Sequence, residues 1–317
     1  MPDVVNGTAS AEPGSAPARA RLRRLLRAAD GRVAVGWRLL AYLVALLAAQ
    51  LVAGGAATGL RALGAPRPVH ALLFAALYVA ATLGLVRVLR RRVDRRPAET
   101  LGLGGAGRRL AHALGGAAVA LAMLAAVVAI EAAAGWVRVE RVALWDGTVA
   151  ARVIAAAFVM CAVGFCEELV FRGGFLANLA ERRSIGFATV VSAVIFGAVH
   201  VLSAPPSPAV LVSALTVTAL LVAARMSTGA LWWAIGWHAA WDFAQHHVFE
   251  LVEPGADAPA TAIVRLVQSG PALWVGAPEF MESGLVVIVV QGAAAALLVL
   301  AAARLGRPVR WTGPLDQ

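Results

Sequence analysis

Residues 164–175 read GFCEELVFRGGF, which places two adjacent carboxylates, Glu167 and Glu168, and a guanidinium, Arg172, inside a nearly unbroken apolar run. Two later apolar runs carry His200, and His238 with Asp242. These residue types suit proton transfer. A carboxylate held away from bulk water can act as a general base. Imidazoles beside it can hold a water, donate to a developing oxyanion, or bind a metal. Two His and a carboxylate would suit zinc, although no HExxH-type local pair is present. The expectation for cofactors is therefore either none or zinc, with Glu167, His200, His238 and Asp242 as the ligand set.

Spacing separates the roles. His238 and Asp242 are i, i+4 neighbours and share one helix face. Glu168 and Arg172 have the same spacing with the acid N-terminal, the favoured order for an ion pair. Glu167 is rotated by about 100° from Glu168, so the two carboxylates point different ways. One acid is then neutralised within its own helix while the other faces a cavity. Taken singly, each group has a structural explanation: Glu168–Arg172 as an ion pair, His200 as interhelical glue, His238–Asp242 as a satisfied pair. Cys166 is a weak nucleophile candidate, because an apolar setting disfavours the reactive thiolate.

The elements that position these groups are membrane spans. The chain has 317 residues, 60% of them hydrophobic, with a mean hydropathy of +0.77, well above the soluble range. About eight apolar segments are long enough to cross a bilayer, near 38–60, 69–86, 110–135, 149–179, 186–202, 208–224, 228–246 and 284–303. The fold class is thus all-α, a polytopic transmembrane helical bundle. The net charge of +10 sits in short loops as the positive-inside pattern and not as a nucleic-acid surface. Loop 87–109 with eight Arg, then Arg182, Arg183, Arg225 and Arg304, fall on the side of the basic N-terminal tail. That gives an N-in, C-in topology. Only one outside loop, 61–68, leans basic, through Arg61 and Arg67. Trp37, Trp136, Trp145 and Trp311 fall near helix ends, as interfacial residues do, and 260–280 is a stretch that can dip back toward the membrane. Two cysteines in one helix form no disulfide framework, and residues 1–18 lack the apolar core of a cleavable signal peptide.

A depth check brings the ionisable groups together. At about 1.5 Å per residue, Glu167 lies about 18 Å from the cytoplasmic end of its helix. His200 lies about 21 Å, His238 about 15 Å and Asp242 about 21 Å from theirs. A charge at mid-bilayer costs about 2.5–3.5 kcal/mol, so such groups usually pair or face a common cavity. Glu131, His246 and His247 fall near segment ends, where the interface explains them. One shared site accounts for the rest.

Three motifs in order carry a resemblance. Glu167-Glu168-x-x-x-Arg172, Phe196-x-x-x-His200 and His238-x-x-x-Asp242 resemble the EExxxR, FxxxH and HxxxN motifs of the CPBP family. These are the CAAX-processing and bacteriocin-processing (Abi) intramembrane proteases, which include the type II CAAX prenyl endopeptidases. The resemblance covers about 149–246. It implies that Glu167 is general base toward a water held by His200, that His238 and Asp242 stabilise the oxyanion, and that Phe196 lines the cavity below His200. Glu168 and Arg172 would support them. It also leaves a metal-assisted and a metal-free mechanism open. Asp242 departs from the family's Asn, and an ionised Asp cannot donate as an amide does.

The resulting expectation is a metalloprotease-type or metal-free hydrolase, an endopeptidase acting on membrane-associated or C-terminal-tail peptides and proteins. Its partners are the lipid bilayer and a peptide or protein substrate, not nucleic acid. The setting is a multi-pass integral membrane protein of a bacterial cell membrane, the bacterial part resting on Ala, Arg and Gly bias. The rival classes are a proton-coupled transporter using the Glu/His cluster, which calls for inverted repeats not seen here, and an inactive immunity or scaffold protein. The organisation expected is a basic tail over 1–36, N-terminal helices over 37–135, a catalytic core over 149–303 and a second tail over 304–317.

Overall fold

The computed structural model describes residues 26–28, 30–143, 146–201, 208–252, 254, 262–277 and 280–304. Helices α1 (Val35–Ala62), α2 (Arg67–Val88), α3 (Arg109–Ala133), α4 (Gly147–Glu168), α5 (Leu176–Ala180), α6 (Ile185–Val201), α7 (Pro208–Thr228), α8 (Trp232–Phe243), α9 (Ala272–Val275) and α10 (Leu285–Arg304) dominate. Six spans are long and apolar enough to cross a membrane. They are α1, α2 with its π-helical end Leu89–Val93, α3, the α4–α5 rod, α7 and α10. The fifth and seventh expected segments have shorter helices: α6 has 17 residues and α8 has 12, prolonged by a π-helical turn at Ala244–Val248. Large apolar side chains such as Leu51, Leu110, Val289 and Leu297 point outward. In water such a surface would drive association, and in a bilayer it is the solvated face. The chain is an integral multi-pass membrane protein.

The loops sort into two ends, as alternating spans require. At one end Asp30 pairs with Arg182 at 2.6 Å, Arg32 with Glu181 at 2.8 Å, and Arg96 with Glu181 at 3.2 Å. The carboxylate of Asp94 is the centre of this end. It accepts from Arg90 at 3.0 Å, from the Tyr42 hydroxyl at 2.6 Å and from the Asn178 amide at 2.9 Å, and all four residues are fully buried or nearly so. Arg38, also buried, donates to Asn178 at 2.6 Å. These bonds fasten α1, the end of α2 and the end of α5 at their Arg-rich side. The hydrogen bond from Arg32 holds the carboxyl of Asp30 below the usual carboxylate range.

At the other end, two segments expected to be loops form a small sheet. Strand β1 (Val137–Val142) pairs antiparallel with β3 (Val264–Gln268), and β3 pairs in parallel with β2 (Phe249–Val252), giving the order β1-β3-β2. The stretch 264–268 is therefore a strand, and its Leu266 and Val267 are buried. Trp136 stacks on Trp274 with ring centroids 6.0 Å apart, and Trp37 is half exposed at its helix start. Trp145, Trp311 and most of the N-terminal tail lie outside the described residues. Glu131 corrects another expectation. It is fully buried, and neither carboxylate oxygen has a hydrogen-bond partner, so interfacial solvation does not explain it.

Removing one member of a buried ion pair leaves the other uncompensated, at a cost of about 3–5 kcal/mol. Asp94→Ala should therefore lower the unfolding temperature of the purified protein sharply, more than Asp30→Ala at the solvated rim. Thermal unfolding in one detergent compares the two directly.

Candidate active site

The rod from α4 to α5 changes pitch at the motif. Residues Leu169–Phe175 form a π-helical stretch between Glu168 and Leu176, every one of them buried. Gly173 and Gly174 lie within this widened turn. The Tyr42 ring packs where a Gly174 side chain would stand. A π-helical insertion of this kind re-aims side chains without ending the helix.

Helix α8 lies close against α4 because Gly164 has no side chain. A Cβ there would come within 2.9 Å of the backbone nitrogen of Ala239, the residue after His238. One turn further along α4, Glu168 reaches His238. The Oε1 of Glu168 accepts from Arg172 at 2.8 Å and lies 2.9 Å from Nδ1 of His238. A carboxylate only accepts, so Nδ1 carries the proton. Arg172 donates its second terminal nitrogen to Thr218 of α7 at 3.0 Å, and its guanidinium sits 4.6 Å above the Phe196 ring of α6. Glu168 and Arg172, expected as a self-contained pair, thus also fasten α8, α7 and α6.

The opposite edge of His238 faces two other acids. Its Nε2 lies 3.4 Å from Oδ2 of Asp242, the expected i, i+4 contact, and 3.9 Å from Oε2 of Glu167. The two glutamates differ as their helical rotation requires: the Glu168 side chain is 0% exposed and that of Glu167 19%. Oε2 of Glu167 is itself buried and has no hydrogen-bond partner. Glu167 is within electrostatic reach of His238, His200 and Asp242. His200 donates Nδ1–H to the Phe196 carbonyl at 2.8 Å, because a carbonyl only accepts. That leaves Nε2 as an acceptor. The rings of Phe196 and His200 are 4.2 Å apart, and those of Phe196 and His238 6.2 Å. All seven residues singled out by their motifs therefore converge on one region. Cys166 packs instead on the side of Thr82.

A cavity of about 90 Å³ opens beside His200, His238 and Asp242. Its apolar walls include Phe196, Val210, Val217, Leu221, Trp237, Trp241 and Phe280. Three polar residues complete it that no motif indicated: Ser213 on α7, Gln291 on α10 and Glu282 in the short turn before α10. Oε1 of Gln291 accepts from Ser213 at 3.3 Å and from Thr216 at 3.0 Å. Burial pushes the Glu282 carboxyl upward, against a hydrogen bond from Gln245 and the charge of His246. Tyr78 of α2, nearly fully buried, lies within electrostatic reach of Glu167. Gln291 was legible in principle, as the only polar residue of α10 before Arg304. Glu282 had no such signal, since it reads as one more loop acid.

Among the described residues no three His, Cys, Asp or Glu side chains lie close enough together to hold a metal ion as they stand. Nδ1 of both imidazoles is held by protein oxygens, an arrangement that would leave Nε2 of each for a water or a metal.

The α4–α8 approach yields a test. Overpacking at a tight contact costs about 1–3 kcal/mol, so Gly164→Ala should lower thermal stability and separate His238 from Glu168. Gly115→Ala, where a Cβ meets Trp233 at an ordinary 3.8 Å, should be tolerated. Unfolding temperatures of the two variants decide the point.

Comparison with known proteins agrees with the motifs. Residues 148–244 match the family model for type II CAAX prenyl endopeptidase Rce1-like proteins. Neither the curated proteins nor the solved structures gave a match. The matched segment runs from α4 through α8 and contains Glu167, Glu168, Arg172, Phe196, His200, His238 and Asp242. Residues 148–244 are thus similar to the Rce1-like domain, in agreement with the resemblance of the motifs, and are set within a multi-pass helical bundle.

Proposed function

We propose that the protein is an endopeptidase that hydrolyses peptide bonds of membrane-associated or C-terminal-tail substrates with water activated by Glu167. The observation that carries this reading is the division of labour around His238: Glu168 holds Nδ1, while Glu167 stands at Nε2 with an oxygen that bonds to nothing else. A carboxylate buried without a structural partner is what a general base requires.

In this reading a water lies between Oε2 of Glu167 and the acceptor Nε2 of His200. Glu167 takes one proton as the water oxygen attacks the scissile carbonyl carbon. His238, with carboxylates at both ring nitrogens, carries a proton on each, because each carboxylate only accepts. It offers Nε2–H to the developing oxyanion, and Asp242 accepts from the same edge in the resting state. This role suits Asp better than donation to the oxyanion, and it gives a reason for Asp where the family's motif has Asn. On collapse of the tetrahedral intermediate the C–N bond breaks, and the proton held by Glu167 passes to the leaving amine. The apolar cavity walls then favour an apolar side chain next to the scissile bond.

Loss of a general base typically costs about 10²–10⁴-fold in rate. Glu167→Gln and His200→Ala should each abolish detectable cleavage while the protein stays folded and monodisperse. A library of bilayer-anchored peptides in proteoliposomes, with products read by mass spectrometry, provides the assay. Wild-type rates in either variant would rule out the mechanism. Peptides retained on Glu167→Gln would identify the substrate class.

A further inference from the structure

The α1–α2 loop breaks the charge pattern that the other loops obey, and the structure shows where its cations go. Arg61 from the last turn of α1, Arg67 and His70 from the start of α2, Arg152 from the second turn of α4 and His247 after α8 line one pocket of about 420 Å³. It lies at the end of the bundle that carries the sheet. No carboxylate lines it. The Nε of Arg152 and Nε2 of His70 are buried without a hydrogen-bond partner, and no ion pair among the described residues joins Arg61, Arg67 or Arg152 to an acid. The positive end of the α2 dipole adds to the same field. A structural explanation covers Arg61 alone, as a cation at a helix C-terminus. It does not cover three guanidinium groups from three helices facing one concavity.

Deeper along the same pair of helices lies an apolar groove of about 670 Å³, lined by Leu72, Ala76 and Val79 of α2, Phe158 and Phe165 of α4 and Trp232 of α8 among others. Residues 72–80 of α2 cover about 12 Å of depth. A cationic mouth at helix-end level followed by an apolar channel facing outward matches an amphiphile with an anionic head.

We infer that this is a binding site for an anionic phospholipid, with its phosphate among Arg61, Arg67 and Arg152 and an acyl chain along the α2–α4 groove. Lipid cations such as choline would be repelled by the same three charges. A headgroup there would neutralise a cluster that otherwise repels itself, and it would brace the outer half of α4, the helix that carries Glu167. The site is separate from the hydrolytic one and does not depend on how Glu167 acts.

Native mass spectrometry of the full chain released from a neutral detergent tests it, with phosphatidylglycerol, phosphatidylcholine and inorganic phosphate as separate probes. Phosphatidylglycerol should be retained about tenfold or more over phosphatidylcholine, in line with about 1 kcal/mol per basic residue near a lipid surface. Arg152→Gln should weaken retention several-fold, and Arg67→Gln, an exposed position, serves if that variant does not fold. Ala76→Trp, which fills the groove and leaves the cations in place, should weaken lipid retention as well. Equal retention of the two lipids would overturn the proposal. So would unchanged phosphatidylglycerol binding in Arg61→Gln/Arg67→Gln/Arg152→Gln. Inorganic phosphate binding as tightly as the lipid would mark a free-anion site and overturn the lipid assignment.

Discussion

A single buried carboxylate oxygen organises the half of this molecule that holds the candidate site. Oε1 of Glu168 receives Arg172 at 2.8 Å and His238 at 2.9 Å. Through Arg172 the same unit reaches Thr218 and the Phe196 ring. Four helical segments, from the α4 rod, α6, α7 and α8, are thereby tied at one point by charge-assisted contacts. In an apolar interior an unpaired member of such a set is costly, so each partner dictates the position of the others. The pair is thus more than a passive counterion arrangement. It fixes which edge of His238 faces Glu167.

Backbone geometry makes that contact reachable. Gly164 lets α8 approach α4, and Gly236 and Gly116 let α8 and α3 press together where a Cβ on either would strike the backbone of the other. The π-helical stretch after Glu168 then turns Arg172 across to α7. At the Arg-rich end, Asp94 binds Arg90, Tyr42 and Asn178 and so anchors the rod that carries the motif. Small residues and buried polar contacts do here what the hydrophobic effect does in water, since lipid offers apolar surfaces no incentive to leave it.

Most of the candidate site was legible in the sequence because charge stands out against an apolar background. Glu167, Glu168, Arg172, His200, His238 and Asp242 were found by their cost, and matched depth in antiparallel helices brought them to one level. The long helices were legible for the same reason. Other features were not. The three-way sharing of Glu168 is a tertiary fact, since i, i+4 spacing shows only the contact with Arg172. Ser213, Thr218 and Gln291 are uncharged and blend into helices where such residues commonly serve as glue. Glu282 hides in an acidic loop, and the sheet is built from strands of four to six residues within segments whose length favours no element. The burial of Glu131 at a helix end could not be read from spacing, because end residues face lipid, water or protein with similar patterns.

The central claim is that Glu167 acts on water and not on the peptide itself. A single turnover of the purified enzyme in 18O-labelled water, followed by mass spectrometry of both product and protein, tests it most directly. Water activation places the heavy oxygen in the new C-terminal carboxylate of the product and leaves the Glu167 side chain unlabelled. Heavy oxygen in the Glu167 carboxylate, with the product unlabelled, would show a covalent acyl intermediate on that residue and would contradict the account.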